Sequence, residues 1–454
     1  MSENEDLTKG KISSHIKKIA FPVSIALIFQ TLYNLVDTFY AGKISSSALA
    51  AMTVSFPIYL FILAIGTGVG IGINVLISNA FGSKDKENVR YISAQAVSFS
   101  VVFSILLTIV MYFLTPFIFK LFKISALTLK LSLQYTNIII IGIIFAVASN
   151  ILEGILIARG HSKNFRNIIV LGFFINVILD PLFLYGFWII PPMGMTGIAI
   201  ATVLIQVITL IYSIVKINKY KLVNFRKLAY FKPNLKKYIE IIKQGFPITL
   251  TTVLFGVGVM IINYFLGFFG DIYIGAYGVV TRLEQLLFLP TIGLNMAVTN
   301  IVAQNNGARK FSRIFEAIGK SFKYGFIVLI SGIILMLMFS KVIMHWFTSD
   351  PTIIKVGSYG LWVILFTSFA DLILNISAAT LQAIKKPRFG MYFSLYKNIL
   401  LPIIVLAIGY WVFGFGIKGF WWILFIIYWV VAIFSYLIMK YKLKRYIIDI
   451  KSKQ

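Results

Sequence analysis

The chain has 454 residues, 59% hydrophobic and 13% charged, with a formal net charge of +27 and a mean hydropathy of +0.90. A soluble protein of this size carries about a quarter charged residues, so this much apolar surface requires lipid around it. Cysteine is absent, which excludes disulfides, thiolate metal sites and a cysteine nucleophile, and His15, His161 and His345 form no pair at metal-ligand spacing.

The first dozen residues are polar and mixed in charge, unlike a cleavable signal peptide, so membrane insertion is expected from the spans themselves. Stretches apolar enough to cross a bilayer as helices fall at about 17–41, 48–78, 92–116, 130–158, 165–190 and 195–216. Six more fall at about 240–268, 273–303, 319–340, 355–384, 389–413 and 418–440. They are continuously apolar rather than alternating, which excludes a β-barrel. The expected fold is an all-α polytopic membrane protein of twelve transmembrane helices.

Basic residues gather in alternate connections: Lys84, Lys86 and Arg90; Arg159, Lys163 and Arg166; Arg309, Lys310 and Arg313; Lys385, Lys386 and Arg388. The stretch from Lys216 to Lys243 holds nine Lys or Arg, whereas the other connections hold few, Lys120 and Lys123 excepted. The positive-inside rule then puts both termini in the cytoplasm and the chain in the inner, cytoplasmic membrane. Anionic lipid at the inner surface suits the same charges. A basic face interleaved with aromatics on a soluble domain is missing, so nucleic acid is not an expected partner.

The basic linker at about 216–243 divides the chain into two six-helix lobes, residues 1–220 and 221–454. One constant, ungapped shift superposes Lys18 on Lys243, Phe21-Pro22 on Phe246-Pro247, Gly68 on Gly293 and Gly82 on Gly307. Gly194-x-x-Gly197 recurs as Gly416-x-x-Gly419, each opening a sixth span. Proline and glycine at matching points of matching spans mark an internal parallel repeat, an architecture of transporters with the substrate path between halves.

Polar groups inside spans are costly and point to cavities or partners. In the first span Gln30, Tyr33, Asn34 and Asp37 fall at i, i+3, i+4 and i+7, one polar stripe on an apolar helix. The fifth span carries Asn176 and Asp180 at i, i+4, followed at once by Pro181, which takes the helical partner from the Val177 carbonyl and makes a hinge there. The sixth span carries Thr202 and Gln206, again at i, i+4. Alternating direction puts Asp37, Asp180 and Thr202 at similar depth, in the outer half of the first lobe. Two carboxylates, an amide oxygen and a hydroxyl suit Na⁺; alternatively, one of the buried carboxyls serves as a proton acceptor.

The second lobe is different. The position matching Asp37 is Ile262, and Pro402-Ile403 matches the region of Asp180. Its acids are Glu284 and Asp371, with Lys397 in the neighbouring span as a structural partner for Asp371. Gly66, Gly68, Gly70 and Gly72 alternate inside the second span, where they read as close helix packing rather than a nucleotide loop.

The run Gln30-Thr-Leu-Tyr-Asn-Leu-Val-Asp37, with Ala41-Gly42 and Ala48-Leu-Ala-Ala51, resembles the multidrug and toxic compound extrusion (MATE) family of the MOP flippase superfamily. So do Asn176-Val-Ile-Leu-Asp180-Pro181, Gly197-Ile-Ala-Ile-Ala-Thr202, Arg282-Leu-Glu-Gln-Leu-Leu-Phe-Leu-Pro290 and Gln304-Asn-Asn-Gly307-Ala308. The resemblance implies two six-helix lobes in a V that alternate access, with Na⁺ or H⁺ entering as an organic, cationic drug or metabolite leaves. It implies a cation-coupling site at Asp37, Asn176, Asp180 and Thr202, as in the DinF-like and archaeal branches. Gln30, Tyr33, Asn34, Gln206 and Asp371 are the expected substrate contacts. The NorM-like branch adds second-lobe acids, a Glu in the seventh span and an Asp in the tenth; Asp371 stands where that Asp would be, but the seventh-span position reads Phe255-Gly256, so a complete second-lobe cation site is not expected. No cofactor beyond the coupling ion is expected; the partners are small organic solutes and lipid, and the working unit is a monomer. A lipid-linked oligosaccharide flippase of the same superfamily is the alternative, although a cationic cavity would have only Arg282 and Lys397 to draw on. No His pair, Ser–His set or Asp-rich metal motif suggests an enzyme.

Overall fold

The computed structural model describes residues 6–121, 125–339, 342 and 351–452. Lys123 and His345 lie outside them. Twelve helices among the described residues are long and apolar enough to cross a membrane. They are α1 (Ile12–Ile44), α2 (Ser46–Gly82), α3 (Lys86–Leu121), α4 (Ala126–Ala158), α5 (Ser162–Tyr185) and α6 (Met195–Lys219). After a short turn at Leu228–Phe231 come α7 (Leu235–Gly267), α8 (Asp271–Gly307), α9 (Phe311–Met338) and α10 (Pro351–Ala383). The last two are α11 (Arg388–Trp411) and α12 (Ile417–Lys451).

Their number matches the apolar stretches, but their ends do not. About 20 residues cross the hydrocarbon, and α2 runs for 37. Hydropathy marks only the lipid-covered part of a helix; polar turns beyond it remain helical where a cap closes them. Ser45 Oγ accepts the Ala48 N–H at 3.0 Å, opening α2 ahead of its apolar run. The fifth span errs the other way: expected to reach 190, it stops at Tyr185. Gly186, with φ +77, turns the chain, and Phe187 and Ile190 exchange two backbone hydrogen bonds before Pro191 and Pro192.

The chain forms two compact units. One holds Ile25–Thr249, the other Leu7–Ser24 and Leu250–Gln454. This differs from a division at 220/221 in the first halves of α1 and α7. Glycines explain it. A Cβ on Gly72 of α2 would stand 2.8 Å from the Gly245 nitrogen of α7, and one on Gly293 of α8 would stand 2.5 Å from the Ala20 carbonyl oxygen of α1. Gly68 meets Gly245 and Thr249 as Gly293 meets Ala20 and Ser24. Each of these residues stands at the repeat position of its counterpart, so the repeat recurs in packing as well as in sequence.

Within the first unit, α2 and α4 are the inner helices, each with 67% of its span buried against 22% for α3. They approach closely because Gly70 leaves room: a Cβ there would sit 2.6 Å from the Asn150 carbonyl of α4. In the second unit α8 and α10 take the same place. The outer helices α1, α5 and α6 thus turn their polar faces inward.

Candidate functional site

The i, i+4 spacing of α5 places Asn176 and Asp180 on one face, and both are fully buried. Asp37 of α1 and Thr202 of α6 meet them there, also buried. The Asn176 amide is the centre: its Nδ2 donates to Asp37 Oδ1 at 2.9 Å and to Asp180 Oδ1 at 3.0 Å. An amide nitrogen has two hydrogens, and each goes to a different carboxylate. Thr202 Oγ1 donates to Asp37 Oδ2 at 3.3 Å. The four residues expected at one depth are therefore brought into one cluster.

What the cluster lacks is a positive charge. Among the described residues no Lys, Arg or His pairs with Asp37 or Asp180. The shared Asn176 amide holds the two carboxyls side by side, and two carboxylates have no hydrogen to place between them. Asp180 Oδ2 and Asn176 Oδ1 are buried with no donor. Two like charges this close, out of water, are expensive unless something cancels one of them. The oxygens offered are the hard donors that Na⁺ takes, and a single proton between the carboxyls meets the same need.

Around Asp37 opens a cavity of about 200 Å³ lined by Asn34, Thr38, Thr53, Tyr59 and Tyr135 among others. Tyr33 is buried on the Asp37 face, one turn earlier on α1. Gln30 and Asn34 continue the stripe, half-buried. Gln206, one turn past Thr202, faces α4 instead: its Oε1 lies beside Gly142 without a donor. Pro181 follows Asp180 inside α5, which continues to Tyr185. Tyr59 of α2 and Tyr135 of α4 were not singled out in the sequence. A tyrosine in a long inner span looks the same as one at the lipid interface, and nothing in its spacing distinguishes it.

Asp371 lies in the second unit. It is buried on α10 and accepts a hydrogen bond from the Lys397 ammonium of α11. Glu284 of α8 accepts a bond from Thr367 Oγ1 at 3.4 Å.

These features define the class: a twelve-helix membrane protein of two repeated units, one with a buried carboxylate pair. The MatE family model matches residues 22–182 and 247–408, two stretches that begin at the paired prolines Pro22 and Pro247. The chain belongs to that family, and so is a membrane transporter rather than an enzyme. "Probable multidrug resistance protein YpnP" of Bacillus subtilis (strain 168) is 28% identical over 378 residues, 82% of this chain and 83% of that protein. "Multidrug export protein MepA" of Staphylococcus aureus (strain NCTC 8325 / PS 47) is 24% identical over 430 residues, 92% of this chain and 91% of that one. Among solved structures, MATE in complex with MaL6 superposes with a TM-score of 0.90 at 21% identity, covering 98% of this chain and 99% of the other. A MOP superfamily transporter from Pyrococcus furiosus Vc1 (DSM3638) gives 0.87 at 22% identity, covering 98% of each. These two likenesses are ones of fold.

Proposed function

We propose that the protein is a cation-coupled antiporter that exports small organic solutes, cationic ones among them, across the cytoplasmic membrane. The observation that carries this is the buried carboxylate pair bridged by one amide, with a hydroxyl, two undonated oxygens and, among the described residues, no basic side chain paired with it. Entry of one positive charge, Na⁺ through the oxygens or a proton on a carboxyl, relieves the repulsion. An ion drives a conformational equilibrium only through affinity that differs between states. Pro181 supplies a route to that difference, because Asp180 sits on a turn of α5 where Val177 has lost its helical partner. Ion occupancy and the set of α5 are then linked. The relatives named for multidrug export and resistance support small organic cargo.

Proteoliposomes preloaded with ethidium test the reading. A Na⁺ or pH gradient, imposed separately, is expected to drive ethidium movement in the wild type, and Asp37→Asn is expected to abolish the driven component. Ethidium flux that ignores both gradients would sink the coupling reading. Lipid-linked oligosaccharide movement without gradient-driven ethidium flux would favour the flippase.

A further inference from the structure

Proline at 402 sets the local geometry of α11. It has no N–H to give the Asn398 carbonyl, its partner one turn earlier in a regular helix. The helix widens there into a π turn spanning Tyr396–Leu400, which carries Lys397 and Asn398, both buried. Such turns insert one residue and re-aim side chains, often at functional sites. Asn398 is held against α7, where a Cβ on Gly258 would lie 2.7 Å from the Asn398 Cβ.

Lys397 is thereby aimed into a pocket built for an ammonium. Its Nζ donates to Asp371 Oδ1 and stands 3.8 Å from the ring centroid of Tyr428 on α12. Glu284 is within electrostatic reach of both Lys397 and Asp371. Three helices, α8, α10 and α12, thus supply a carboxylate, a second carboxyl and an aromatic face to one cation, and the Thr367 hydroxyl of α10 donates to the second carboxyl. The pairs Lys227–Glu87, Lys237–Glu240 and Lys320–Glu316 keep 29% or more of each side chain exposed, whereas Lys397 and Asp371 keep 9% and 10%.

We propose that the second unit contains an ammonium-binding pocket made by Asp371, Glu284, Thr367 and the face of Tyr428, with Lys397 as its permanent occupant in place of an exchangeable cation. A structural ion pair needs one acid. This pocket has two and a π face, the donor set that recognises a free ammonium or monovalent cation. The tether makes the ammonium's effective concentration millimolar or higher, so a free ion competes at a standing disadvantage. The inference stands apart from the first-unit reading, because it concerns binding in the second unit and is tested without transport.

The test uses the full chain in detergent with n-propylammonium, which restores the atoms that Lys397→Ala removes. One saturable equivalent by isothermal titration is expected for Lys397→Ala, and none for the wild type or Lys397→Ala/Asp371→Asn. A folded Lys397→Ala that binds no propylammonium, or binds it equally after Asp371→Asn, overturns the proposal. Lys397→Met keeps the stem and frees only the ammonium position, so it covers the case in which Lys397→Ala does not fold. It is expected to bind one more equivalent of ²²Na⁺ than the wild type does, and to lose that gain with Asp371→Asn. No gain overturns the proposal. Wild-type protein that binds no Na⁺ counts against Na⁺ as the first-unit ion and leaves this comparison intact.

Discussion

Asn176 is the residue on which the first-unit site turns, because one side chain holds two carboxylates that would otherwise repel each other. Replacing Asp37 by Asn keeps the shape and removes the charge that a proton or Na⁺ answers. Gradient-driven efflux is expected to fall to the passive level while expression and melting temperature stay near wild type. Normal driven efflux by a well-expressed Asp37→Asn protein would remove Asp37 from the mechanism. Thr202→Val tests a finer point: its hydroxyl donates to Asp37 Oδ2 at 3.3 Å. A hydrogen bond to a charged group contributes about 1.5 kcal/mol, so the apparent affinity for the coupling ion should drop about tenfold, with maximal efflux retained. Unchanged ion affinity would mean that the hydroxyl only packs. The i, i+4 pair on α5 and the stripe on α1 made these residues visible in the sequence, since charge at membrane depth stands out against apolar neighbours. The direction of each bond was not visible. Gln206 shows the limit: spacing put it beside Thr202, but its Oε1 lies against Gly142 of α4 rather than in the carboxylate cluster.

At the scale of helices, close approach by glycine decides which neighbours meet. The alternation Gly66, Gly68, Gly70, Gly72 serves two faces: Gly66 and Gly70 meet Asn150 on α4, while Gly68 and Gly72 meet Gly245 on α7. A methyl group at Gly70 would have to displace a helix backbone rather than a flexible side chain. Gly70→Ala should therefore cost about 1–3 kcal/mol and lower the melting temperature by several degrees. Gly256→Ala is the control, because nothing lies within 4 Å of its added Cβ. Detergent-solubilised protein followed by thermal unfolding and size exclusion makes the comparison. Equal melting temperatures for the two variants would contradict the packing. That these glycines pack helices was legible from small residues four apart. That α7 is one of the partners was not, because a small residue announces close approach without saying to what. Helix ends were likewise hidden wherever a cap or a polar turn prolonged the helix past the lipid, as at Ser45.

The whole molecule joins a repeat in fold to a difference in charge. The repeat was readable from proline and glycine landmarks related by one constant shift, and the two stretches of the family match begin at residues related by the same shift. The exchange of the first halves of α1 and α7 was not readable, because hydropathy carries no information about which bundle a half-helix joins. The positive-inside rule predicts the orientation from where Lys and Arg gather. In this cysteine-free chain, Lys221→Cys is expected to react with an impermeant maleimide only after the cells are opened, and labelling of intact cells would invert the topology. The charge difference between the units carries the last prediction. Among the described residues Asp37 and Asp180 of the first unit have no basic partner, so on the proposed coupling their charge is free to change with ion occupancy. In the second unit Asp371 is already answered by Lys397, and the repeat positions of the first-unit acids hold Ile262 and Pro402-Ile403. Coupling is then expected to reside in the first unit alone. Asp371→Asn by itself is a poor test, because it strands a buried ammonium at a cost of about 3–5 kcal/mol. Removing both charges with Asp371→Asn/Lys397→Met avoids that cost. The double variant should keep the dependence of efflux on the ion gradient even where its rate or solute preference shifts, whereas Asp180→Asn should lose it. The opposite pattern, with ion dependence lost in the double variant and kept in Asp180→Asn, would reverse the assignment of the two units.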